Sequence, residues 1–262
     1  DGSPGIYDAF VPTITSWKEN YNFVGSYYVN VGNNAPDQTT DWAVSLPYYK
    51  ALIDLGGEIG SHSYTHPDNT NVLSASQIEF EFGNSQTVLE QQLTAYLGRT
   101  YNLTGAALPG APETLTTAQA ILPYVDQYLS GGYSGKGAGY PNAFGYLTPQ
   151  QQSKVYLAPN ATFDFTLLEF WQMSVAAAEA YWAAEWNAIA GYADAPVFVW
   201  PIHDYAVAQW STDGPSPYLT SMFTNWVQRA YEEGSEFVTL TDLAARIAAM
   251  KAATLTTSVS GN

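Results

Sequence analysis

Short runs of β-branched and aromatic residues alternate with helix-patterned ones along nearly the whole of a 262-residue chain. In 6–21, Phe10, Ile14 and Trp17 fall at helical spacing, and "FVGSYYVNVG" (23–32) reads as a strand closed by glycine. "LPYYKALIDLGG" (46–57) reads as a helix ended by paired glycines, and "EIGSHS" as a short strand running into a loop. Residues 74–93 form a serine-started helical pattern, "TGAALPGAPE" a strand with a Pro/Gly loop, "TTAQAILPYV" a helix broken near Pro123, and "KVYLAP" a strand. A long helix is expected over 167–193, a buried strand in "APVFVWPIHDY", a helix over 218–234, a strand in "EFVTL" and a last helix over 239–253. Such alternation predicts an α/β fold, a distorted (β/α) barrel whose sheet is largely parallel and whose sites lie at the strand ends.

One domain is expected over 1–250, followed by a small, polar linker or tail over 251–262, and the glycine-rich stretch 130–149 is too irregular for a single regular element. The chain is expected to be part of a larger secreted protein, extracellular or periplasmic. Its 20 tyrosines and 8 tryptophans among many Asn, Ser, Thr and Gly give a carbohydrate-facing composition. No apolar run is long enough to span a membrane.

Charge excludes one class of partner. With 24 acidic residues against 8 basic and a formal net charge of −16, the surface repels phosphate-rich polymers, so nucleic acid is not expected as a partner. The same acidity suits neutral substrates and cationic products, and solubility alone accounts for it equally well. Cysteine is absent, so a transition metal would have to be held by histidine and carboxylate.

That makes the histidines informative, because the chain has only 3: His62 and His66 in "GGEIGSHSYTHPDN", and His203 in "VFVWPIHDY". His62 follows one expected strand and His203 another, so all three fall where a barrel carries its site. Two histidines and one carboxylate, with a position left for water, make a catalytic zinc-type site, and Asp1 is the candidate carboxylate. By itself, however, a His-x-x-x-His spacing is more often a solvated turn than a metal site.

The flanks of these residues carry a resemblance. "EIGSHSYTHPD" resembles the second motif of the NodB-type polysaccharide deacetylases (carbohydrate esterase family four and its relatives), "VFVWPIHDY" resembles their late Leu-x-His motif, and "GSEFVTLTDLAARI" looks like their closing strand and helix. The resemblance implies that His62 and His66 are metal ligands and that His203 is the catalytic acid. It also implies a divalent metal, zinc first of all, an N-acetylated polysaccharide as substrate, and water activated at the metal for de-N-acetylation. The family opens on two aspartates, a general base and a metal ligand. Here "DGSPG" offers Asp1 first of all as the ligand, with the base expected just before it, or, on the pattern of the Pel-type exopolysaccharide deacetylases, as the catalytic base, with Ser3 in the ligand's place.

"ALPGAPE" (107–113) stands in the place of the third motif, which makes Pro109 and Gly110 groove residues, but the arginine of that motif is missing, with Ala107 or Leu108 in its position. Tyr64 and Tyr205 are the nearest candidates for stacking on a sugar face. Asp164 in "PNATFDF" is a candidate for the fourth-motif carboxylate that tunes the catalytic histidine, though it reads more readily as a surface residue. Two alternatives stay open: a related O-acetyl esterase or amide hydrolase, and a carbohydrate-binding pseudoenzyme.

Overall fold

The computed structural model describes residues 4–32, 40–110, 113–131, 144–145, 154–157, 161–191, 196–211, 214–254 and 256. Helix α1 (Pro4–Tyr21) buries Phe10, Ile14 and Trp17, the face its spacing predicts, and Trp17 Nε1 donates to Thr224 Oγ1 at 2.9 Å. Strand β1 (Ser26–Val29), α2 (Trp42–Asp54) and β2 (Glu58–Ser61) follow, and the Asp41 side chain caps α2 by accepting from the N–H groups of Ala43 and Val44. After the histidine loop comes α3 (Ala75–Ile78), a π-helical turn (Glu79–Asn84) and α4 (Ser85–Leu97), which begin at a capping box of Ser74 and Gln77. Next are β3 (Gly105–Ala107), α5 (Leu115–Ile121), β4 (Tyr128–Ser130), β5 (Phe144–Gly145) and β6 (Val155–Leu157). The chain continues through α6 (Val175–Ala190), α7 (Asp204–Val207), α8 (Thr220–Glu232) and α9 (Leu240–Ala252).

The strands lie in the order β1-β2-β3-β4-β6-β5, parallel except for the edge strand β5. The register pairs Ser26–Val29 with Glu58–Ser61, and the His62 N–H donating to Val29 O at 2.9 Å extends it by one residue. Thus β2 delivers His62 at its carboxyl end. Helices α1, α2, α4, α6 and α8 pack around one aromatic-rich core, in which Trp17 and Trp182 are essentially unexposed. Burying an aromatic side chain of this size contributes about 4–6 kcal/mol before entropy is counted. Helix α9 packs on β4 and β6 through Leu243, Ala244 and Ile247.

Three expectations need correction. The helix expected over 167–193 is broken: a π turn, Thr166–Phe170, ends in a left-handed Gln172 (φ 53°), and α6 starts afresh where the Ser174 side chain accepts the Ala177 N–H. Ser174 offers an N-cap in the middle of an apolar pattern, and the cap wins over the period. Among the described residues, the strands expected in 195–205 and 236–240 form no ladder. A cavity of about 1820 Å³ is lined by residues 23–30 together with Val197–Asp204, Phe237 and Val238 of these segments. Phe198 and Trp200 anchor the first of them instead by packing with Trp182, Trp186 and Trp226. Finally, β4 occupies a stretch in which no strand was expected. The result is the distorted (β/α) barrel, with its circumference open along this seam.

Candidate active site

The loop after β2 is built from its own hydroxyls. Ser63 and His66 both take left-handed backbone angles (φ 77° and 59°), uncommon for residues with a Cβ, and Ser63 Oγ accepts the His66 N–H at 2.9 Å. The turn brings the imidazoles of His62 and His66 together, with ring centroids 5.0 Å apart and planes at 71°. His62 Nδ1 lies 3.0 Å from Ala107 O, which can only accept, so Nδ1 carries the proton and Nε2 keeps its lone pair. Burial, followed by the neighbouring His66, pushes His62 down to about 3, and burial lowers His66 as well. Both rings are therefore neutral at pH 7, the form that binds a metal ion.

The third motif touches this loop through its backbone. Gly110 is left-handed (φ 72°), and a Cβ there would lie 2.2 Å from Asp68 O, two residues past His66, so only glycine lets the two loops meet. Pro109 is buried beside it. Ala107, in or beside the place of the missing arginine, offers His62 a carbonyl.

His203 precedes α7 and faces the same space from the opposite segment. Asp164, with no exposure, accepts the His203 N–H at 2.9 Å through Oδ2 and lies 2.6 Å from His203 Nδ1 through Oδ1. Burial pulls the His203 imidazole down, but the Asp164 carboxylate outweighs it, and the net shift is upward. The Tyr205 ring stacks on the imidazole at 4.9 Å and 29°. Asp164 therefore corrects the surface reading of this residue: it is the buried partner of His203. The sequence signal was its place in the fourth-motif position.

All three histidines line one large cavity, together with Ala107, Leu108, Asp204 and Tyr205. Of the residues expected to bind substrate, Tyr205 is part of this lining, whereas Tyr64, Pro109 and Gly110 are not. The Tyr64 ring lies 4.5 Å from that of Phe80. Asp1, the expected third ligand and base, lies outside the described residues, among which no cluster of three or more His, Asp or Glu side chains could hold a metal ion. The donors that are described, two neutral imidazoles with one tautomer fixed by a carbonyl, fit two of the three protein ligands of a catalytic zinc-type site.

No family model and no curated protein matches the chain in sequence. Among solved structures, the Puue allantoinase superposes with a TM-score of 0.65 at 15% identity, over 94% of this chain and 74% of that one. A family 4 acetyl xylan esterase from Clostridium thermocellum, solved with a cobalt ion, superposes with a TM-score of 0.50 at 16% identity, over 91% of this chain and 85% of that one. These likenesses show that the chain has the NodB-type carbohydrate esterase fold.

Proposed function

We propose that this chain is a metal-dependent de-N-acetylase of an N-acetylhexosamine-containing polysaccharide. The observation that carries the reading is that the three histidines of the chain line one cavity in two different electrostatic states. His62 and His66 are held neutral for a metal; His203 is held toward its protonated form by Asp164.

His62 Nε2 and His66, with Asp1 as the carboxylate, would hold a divalent ion, zinc by preference of the donor set. Such an ion, when bound, supplies Lewis acidity to the acetamide carbonyl and lowers the pKa of water. The chain's own residues do the rest. Asp164 occupies Nδ1 of His203, leaving Nε2–H as the acid that protonates the amine as the C–N bond breaks and acetate and amine separate. On the alternative pattern, Asp1 is instead the base that takes the proton from water, and it then leaves the metal's carboxylate position. Tyr205, stacked on His203, fixes the ring plane and offers a sugar-facing edge.

The test is metal content beside rate. His62→Ala and His66→Ala are expected to lose the equivalent of metal that the parent chain takes up, while His203→Ala keeps it and loses about 10²–10⁴ in rate. A His62→Ala protein that retains a full equivalent would exclude this metal site. A second reading is favoured by one observation: no guanidinium stands at Ala107 or Leu108. In that reading the chain is a carbohydrate-binding barrel without turnover, and binding of an N-acetylated oligomer with no acetate release would establish it.

A further inference from the structure

The His62–His66 loop rests on a carboxylate that the proposed chemistry does not use. Glu81 is 6% exposed and sits inside the π-helical turn Glu79–Asn84, in a helix that is α-helical on both sides. Its Oε2 accepts the N–H groups of Tyr64 at 3.0 Å and Thr65 at 2.8 Å, and its Oε1 accepts the Thr65 hydroxyl at 2.6 Å. Tyr64 and Thr65 are the two residues between the left-handed Ser63 and His66. The carboxylate therefore ties down the middle of a turn whose two ends are strained, and those ends lead to the two imidazoles.

Two features separate this from an ordinary fold contact. A π turn inserts one residue into a helix and swings the side chains beyond it about the axis, and such turns are frequent at functional sites. Burying a carboxylate is costly and is repaid only by well-made charge-assisted hydrogen bonds, here three of them to one five-residue loop. We propose that Glu81 is a positioning residue: through the backbone of Tyr64 and Thr65 it holds His66 against His62 at the spacing one divalent ion needs. The inference rests on the metal reading of the histidine pair and goes beyond it by naming what sets the affinity.

The experiment is a titration of the chain with Co²⁺ alone, followed by calorimetry and by visible absorption of the bound ion, for the parent, Glu81→Gln, Glu81→Asp and His62→Ala. Glu81→Gln presents an amide where two backbone N–H groups need an acceptor, and Glu81→Asp keeps the charge but withdraws it by one methylene. In variants whose far-UV circular dichroism matches the parent, Co²⁺ affinity is expected to fall by about 10–100-fold, the loss typical of a group that orients metal ligands, with a changed absorption band. An affinity within about twofold of the parent and an unchanged band, in either folded variant, would overturn the inference and leave Glu81 a structural residue. A parent chain that takes up no Co²⁺, or takes it up equally after His62→Ala, would overturn the metal reading itself and the inference with it.

Discussion

Asp164 shows how much a single side chain can hide in a sequence. In an acidic chain one more aspartate, even between two phenylalanines, gives little sign of being buried. Yet it has no exposure, because His203 N–H, His203 Nδ1 and the Phe165 N–H together satisfy its oxygens. The histidines, by contrast, were legible because there are only 3 of them and two stand four apart. The electrostatics give a signed prediction. In the proposed reading His203 is the acid, and its pKa is raised, so activity is expected to be retained up to that raised pKa and lost as the pH climbs through it. Asp164→Asn removes the charge that raises it, and the alkaline limb of the rate–pH profile is expected to move to lower pH with a reduced maximum. An unmoved limb would detach Asp164 from His203. His62 gives the opposite sign: its folded value of about 3 lies below the ordinary 6.5, so its contribution to stability is present above 6.5 and lost as the pH falls toward 3. His62→Ala should therefore lose less of its urea midpoint between pH 7 and pH 4 than the parent does.

At the scale of elements, the helices were legible where apolar period and cap agree. The final helix is one such case, since the Thr239 side chain accepts the Asp242 N–H in α9 as its sequence suggested. Where they disagree, as at Ser174, the cap decides. Strand β4 escaped notice because three fully buried residues, Tyr128 to Ser130, show no alternation to read. Its neighbour β3 explains the small residues "GAA": the Tyr128 ring lies across Gly105, so that a Cβ there would come within 2.3 Å of it. The ring cannot yield easily, since its hydroxyl is held by Tyr28 at 2.8 Å and by Glu58 at 3.0 Å. Gly105→Ala is expected to destabilise the protein by about 1–3 kcal/mol in urea unfolding, the usual cost of overpacking a filled site. A loss below roughly 0.5 kcal/mol, the scale of an ordinary surface substitution, would mean that the sheet relaxes at this point.

For the whole molecule, the parallel sheet and the gathering of strand ends followed from alternation alone. The open seam did not, because a strand-like pattern records burial and not the presence of a partner strand. Net charge acts at this scale too. At −16 the protein attracts the polyamine that de-N-acetylation would leave. Deacetylated oligomer is expected to bind more tightly than its acetylated parent at low salt, and the difference should shrink as ionic strength rises from about 0.01 to 0.15 M and the screening length falls. Equal affinities at low salt would confine the acidity to a role in solubility. The central claim is that the two neutral histidines and the acidic one act together on an acetamide. The most direct measurement is simultaneous quantification of acetate and free amine released from an N-acetylhexosamine oligomer by the metal-loaded protein. One acetate per new amine, abolished by His203→Ala, is the result predicted here; acetate released only from O-acetylated sugar, with no amine formed, would contradict it.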